Sequence, residues 1–164
     1  MDTTNGRTVE IREAMPADAV AIATVHATSW RETYGRFVEN PETSGWFAID
    51  RRIRMWSENL DKGIFTTMVA TIDGDVVGFA AAQPTSDSEA VRAEELTMLY
   101  VVARAHGTGA GQGLLDAVLA DQPAQLWVAA DNPRAHAFYR RNGFRPDGAE
   151  SSFGPIPATV RLVR

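Results

Sequence analysis

Apolar and polar residues alternate along residues 8–13, Thr-Val-Glu-Ile-Arg-Glu, with the two-residue period of a half-buried strand. Pro16 follows where the first turn of a helix tolerates it, Asp18 lies near the positive helix end, and the pattern predicts a helix reaching about Tyr34. A second helix is expected over residues 47–60, FAIDRRIRMWSENL. Residues 64–84 read as two strands joined at Asp73-Gly74, a pair favoured in tight hairpins. Residues 94–102 predict a further strand, residues 111–120 a helix burying Leu114, Leu115, Val118 and Leu119, and residues 124–130 another strand. A last helix is expected from Pro133 to a stop at Gly143, before closing strands at 143–146 and 158–164. Strands and helices in this order predict an α/β or α+β sandwich with a mixed sheet.

The chain has 164 residues, enough to bury a sizeable core as one unit, so a single domain spanning 1–164 is expected. Apolar residues make up 45% and no apolar run approaches the roughly 18 needed to span a bilayer, which argues against membrane insertion. The start, MDTTNGRTVE, lacks the basic and apolar stretches of a secretory leader, and there is no cysteine, so a cytoplasmic location is expected. A net charge of -5 argues against nucleic acid, whose backbone needs a basic face. Three scattered histidines without cysteine predict no metal site.

Candidate chemistry concentrates in RAHGTGAGQGLL, residues 104–115, where glycine recurs at 107, 109, 111 and 113 before an apolar run. Glycines let successive amides converge into an anion-binding concavity, and a helix beginning there adds its dipole, so a phosphate or pyrophosphate is the natural guest. No Gly-Lys-Ser/Thr is present, and a dinucleotide fingerprint starting at Gly107 would need glycine where Gln112 stands. A turn that merely caps a helix is the competing account. Downstream, LWVAADNPRAHAFYRRNGFRP couples a strand to a helix on which Ala135, Phe138 and Tyr139 share one face and Asn132 stands at the start.

Together these segments resemble the GNAT superfamily of acyl-CoA-dependent N-acetyltransferases. LYVVARAHGTGAGQGLL is similar to its pyrophosphate-binding motif, and residues 132–144, N-x-x-A-x-x-F-Y-x-x-x-G-F, to its second hallmark. The resemblance implies a mixed, mostly antiparallel sheet flanked by helices, with a parallel strand pair splayed at the cofactor site, acetyl-CoA as cofactor, and a homodimer. It implies that Leu99, Tyr100, Val101 and Val102 hold the pantetheine arm through their main chain. The amides of Gly107, Thr108, Gly109, Ala110, Gly111 and Gln112 would grip the diphosphate, with Asn132 and Phe138 on the adjoining helix and Arg104, Arg134 or Arg141 adding charge. His106 departs from the Arg or Gln usual in the family and removes a forked, charged contact.

The resemblance also assigns Tyr139 as the group facing the cofactor sulfur, against the alternative of a core aromatic beside Phe138. A phenol of pKa near 10 protonates a thiolate of pKa near 8.5 only uphill, by about 2 kcal/mol, so hydrogen-bond stabilisation is the simpler role. An alkyl amine must lose a proton before attack, and Glu95 is the first candidate base, with Glu94 its competitor and a solvated strand-end charge the alternative. His26 on the first helix could also serve, or could simply be packing. Acceptor selection falls to the first two helices: Trp30 and Tyr34, with Trp46, Trp56 and Phe47, read either as a pocket or as core, while Glu32, Glu39 and Glu42 could attract a cation.

The leading expectation is therefore direct acetyl transfer to a primary amine of a small molecule, since no cysteine or Ser-His-acid arrangement offers an acyl-enzyme route. The alternatives are a protein N-terminal or lysine acetyltransferase and a noncatalytic acyl-CoA sensor.

Overall fold

A computed structural model describes residues 3–4 and 7–164. Eight strands form one sheet in the order β1-β2-β3-β4-β5-β6-β8-β7, comprising β1 (Thr3–Thr4), β2 (Arg7–Glu13), β3 (Thr66–Ile72), β4 (Asp75–Pro84), β5 (Glu94–Val101), β6 (Gln125–Ala129), β7 (Arg145–Phe153) and β8 (Ile156–Val163). Every neighbouring pair is antiparallel except β5 with β6. The helices are α1 (Ala19–Tyr34), α2 (Ile49–Lys62), α3 (Ala110–Leu119) and α4 (Pro133–Arg141).

Local chemistry accounts for the main boundaries. Asp18 precedes α1 and takes the Met15 amide at 2.7 Å while its two oxygens receive a fork from Arg12 at 2.8 and 2.9 Å, which holds its carboxyl below the usual carboxylate range. Asp73 and Gly74 both adopt positive φ, +52° and +84°, as the tight β3–β4 hairpin requires. Asn132 caps α4 by accepting the Ala135 amide, and Gly143, at φ +86°, ends it.

α3 buries Leu114, Leu115, Val118 and Leu119 against β2 to β5, and α1 packs on α2 and on β4 and β5. Each such side chain contributes roughly 1.5–3 kcal/mol relative to exposure, so the central strands are clamped from above and below. Trp56 and Phe79 lie fully buried in this core. No helix among the described residues is long and apolar enough to cross a membrane.

Two irregularities set the site. β5 carries an extra residue opposite β4: Met98 pairs with Ala81 and Leu96 with Ala82, leaving Thr97 without a partner. On its other side β5 meets β6 only at Glu95 and Gln125, after which β6 follows β8 and the parallel strands part. From Leu96 onward the edge of β5 has no strand beside it, and unpaired main-chain groups face the gap.

Candidate active site

A cavity of about 510 Å³ occupies that gap. Leu96 to Val101 of β5 form one wall and Leu126 to Val128 of β6 the other; Gly107, Gly109, Ala110, Gly111 and Gln112 lie at one end. Asn132, Phe138 and Tyr139 belong to the α4 side, while Ser29, Thr33 and Tyr34 enter from α1. The two sequence motifs and the first helix thus meet at one opening in the sheet.

The glycine loop is shaped as an anion cradle. Gly107 and Gly109 take φ of +79° and +88°, where a Cβ is strained, and the second is the residue before α3. The amides of Gly107, Thr108, Gly109, Gly111 and Gln112 make no main-chain hydrogen bond among the described residues, and three of them precede or open the positive end of a helix. Thr108 serves the loop internally: its hydroxyl donates to the Ala105 carbonyl at 2.6 Å and receives the Ala110 amide. Gly111 differs from the turn glycines, since it lies in the first turn of α3 and a Cβ there would meet Phe138 at an ordinary 3.8 Å. Gln112 turns its amide toward α4, exchanging two hydrogen bonds with Asn142 at 2.7 and 3.1 Å. Arg134 and Arg141 line the cavity, whereas Arg104 lies on the opposite side near Glu32 and Asp75. His106 folds back to the Val101 carbonyl, 2.9 Å from its Nε2.

Tyr139 is buried, with its ring edge-on to Phe138 and Phe144, and its hydroxyl makes no hydrogen bond among the described residues. Burial, aided by the nearby Tyr34 phenol, pushes its pKa well above the ordinary phenol value. Tyr100 is pushed up similarly, chiefly by burial, while accepting the Trp30 indole N–H at 2.9 Å. Three neutral phenols, Tyr34, Tyr100 and Tyr139, therefore adjoin the cavity as hydrogen-bonding groups rather than as charges.

Several expectations need correction. Val102 cannot offer a free main chain, because its amide donates to Val77 and its carbonyl accepts from Ala105. Glu95 lies outside the cavity lining, and its carboxylate accepts the Gln125 side-chain amide at 3.0 Å, at the one rung where β5 and β6 pair. Its neighbour Glu94 is absent from the lining too. His26 is a core histidine: its Nδ1 accepts the Trp56 indole N–H at 3.1 Å, and burial, with Arg52 nearby, pushes its pKa down to about 3. The acidic residues of the acceptor region also turn elsewhere. Glu42 pairs with Arg31, and Glu32 points toward the Ala103 amide.

The tryptophans divide. Trp56 is core, but Trp30 and Tyr34 form a separate cluster with Ala129 and Ile156, and Trp46 stacks on Trp30 at 6.1 Å. The tip of the β7–β8 hairpin closes this cluster: Phe153 meets Trp30 edge-on, and Gly154 lies so near Trp46 that a Cβ would stand 2.7 Å from the ring. Tyr34 lines the cavity itself and Trp30 lies directly behind it, 4.9 Å away between ring centres.

Sequence reasoning missed Ser29, Thr33 and Thr97. The Ser29 and Thr97 hydroxyls are buried without a hydrogen-bond partner, and Ser29 is only 3% exposed. Hydroxyls left so in an otherwise satisfied interior mark a surface made for a polar guest. The signal available was the spacing of Ser29 and Thr33, one turn apart on a helix whose other positions on that face are apolar.

The comparisons with known proteins agree with this geometry. The family model for the acetyltransferase (GNAT) domain matches residues 63–146, which hold the hairpin, β5, the glycine loop and α4. An N-acetyltransferase of Archaeoglobus fulgidus is 30% identical over 147 residues, covering 84% of this chain and 93% of that protein. A probable N-acetyltransferase of Mycobacterium tuberculosis is 25% identical over 158 residues, covering 90% and 86%. Among solved structures, the PaiA N-acetyltransferase of Thermoplasma acidophilum in complex with coenzyme A superposes with a TM-score of 0.71 at 18% identity, covering 96% of this chain and 98% of that one. The chain belongs to the GNAT family of acetyltransferases. It is an N-acetyltransferase with acetyl-CoA as its acyl donor.

Proposed function

We propose that this enzyme acetylates the primary amine of a small molecule by direct attack. The observation that carries the reading is the single cavity lined together by the unpaired edge of β5, the glycine loop and Tyr139, and walled on its remaining side by Ser29, Thr33 and Tyr34 of α1. A wall of packed helix limits the acceptor end to a compact guest.

The residues fit the cofactor. Free amides from Gly107 to Gln112, with Arg134 and Arg141 beside them, suit the diphosphate, and the β5 edge at Leu99 to Val101 suits the amide-bearing pantetheine arm. Acetyl-CoA supplies an activated thioester carbonyl. The main-chain groups released by the bulge at Thr97 offer fixed dipoles where charge develops, and Tyr139 holds its proton and presents it as a hydrogen-bond donor. The lining holds no carboxylate, so the enzyme draws on the neutral fraction of the amine, which enters already deprotonated. With no cysteine in the chain, no acyl-enzyme thioester forms.

Thiol release from acetyl-CoA, measured across a panel of small amines and peptides, tests the proposal. Release that depends on small amines is expected. Release with peptides alone would assign a protein acceptor, and thermal stabilisation by coenzyme A without any acceptor-dependent release would make the chain a sensor.

A further inference from the structure

Arg52, in the first turns of α2, is a cation without a counter-ion. Its guanidinium carbon lies 5.4 Å from the centre of the Trp30 ring, on the indole whose N–H holds Tyr100 and whose edge meets Tyr34. Its only hydrogen bond among the described residues is a long one, 3.4 Å, from Nη1 to the Ala48 carbonyl. Nε is buried with no partner at all, and no carboxylate pairs with the group. The other groups around it are uncharged: Trp30, the phenol of Tyr100, and the imidazole of His26, which stacks on Tyr100 at 5.3 Å.

An unpaired, half-buried cation costs folding free energy that the indole face only partly offsets. The free edge, Nε with Nη2, is the one that takes a carboxylate through two parallel hydrogen bonds. The other arginines of this region differ. Arg31 is paired with Glu42 and Arg36 with Asp131. Arg52 alone of the three keeps its fork unengaged, beside the rings that separate it from the cavity. The unpartnered Ser29 hydroxyl, on the residue preceding Trp30, adds a second polar group facing the same guest.

We infer that Arg52 forms an anion subsite of the acceptor pocket, so that the amine acetylated here carries a carboxylate and its body packs against the aromatic rings: an amino acid or a close analogue. This reverses the charge expected from Glu32, Glu39 and Glu42, and it rests on the small-molecule reading above.

The test is acetyl transfer to the standard L-amino acids, each beside its C-terminal amide, with the wild type, R52K and R52Q. The best acceptor acid is expected to exceed its amide in kcat/KM by at least about tenfold, as a charge-assisted fork predicts. R52Q should bring that ratio close to one and R52K should retain part of it. Stabilisation by coenzyme A confirms that each variant is folded. Acids and amides used equally, or a ratio unchanged in R52Q, would remove the anion subsite and leave the small-amine reading standing. No transfer to any member of the panel would remove that reading, and this inference with it.

Discussion

The two ends of the cavity are made of different material. At the cofactor end the working groups are main chain: amides of a loop turned by Gly107 and Gly109, and the bare edge of β5 beyond its one rung with β6. At the acceptor end they are side chains, Ser29, Trp30, Tyr34, Trp46, Arg52 and Phe153, drawn from two helices, a loop and a hairpin tip. A backbone site tolerates wide changes of side chain as long as its turns survive. A side-chain site has no such reserve, and each of its members is individually replaceable, which is how one fold comes to serve many acceptors.

The largest expected effect falls on the packing behind the acceptor end and appears in acid. Burial first, and Arg52 second, push His26 from 6.5 down to about 3. Because the folded value lies below the unfolded one, the neutral imidazole stabilises fully above pH 6.5, and that contribution drains away as pH falls from 6.5 toward about 3. Several kcal/mol should be lost over that window in urea unfolding, and His26→Gln should flatten the slope. An equal slope in the variant would show that other groups govern acid unfolding.

Next comes Tyr139→Phe, which removes a hydroxyl and leaves the ring contacts. Turnover should fall about 10²-fold with acetyl-CoA affinity nearly unchanged; weakened binding at constant kcat would return Tyr139 to a packing role. Gly109→Val breaks the cofactor end at its backbone, forcing a β-branched residue to φ +88°, and should weaken acetyl-CoA binding about tenfold or more. Gly111→Ala, with ordinary space beside Phe138, should leave binding within about twofold, so the pair separates turn geometry from glycine content. Equal losses in both would mean that the loop works by packing.

The smallest effect is expected from Glu95→Gln. With its carboxylate on Gln125 and outside the lining, the pH profile of kcat/KM should keep its shape. A displaced basic limb would restore Glu95 as the base.

Much of the fold was legible from pattern. The strands and helices fall close to their expected bounds because burial of Leu114, Leu115, Val118 and Leu119, or of alternate strand positions, is a local periodic constraint. The Asp73-Gly74 turn and the Asn132 cap were readable for the same reason. Glu95 was misread because its place beside the cofactor strand is local, whereas its partner Gln125 is thirty residues away. Nor could pattern tell Trp56, in the core, from Trp30, against the cavity, since both lie on apolar helix faces.

By itself the chain of residues determined the phosphate loop, the hairpin, the caps and the family resemblance, all of which depend on neighbours within a few positions, where φ and spacing act directly. Tertiary structure alone decided where β5 leaves β6, which hydroxyls remain unpaired, and that Arg52 faces Trp30 without a carboxylate. Those outcomes depend on which distant groups find one another on folding, and hydrogen bonds and charges discriminate only once the partners are within a few ångströms.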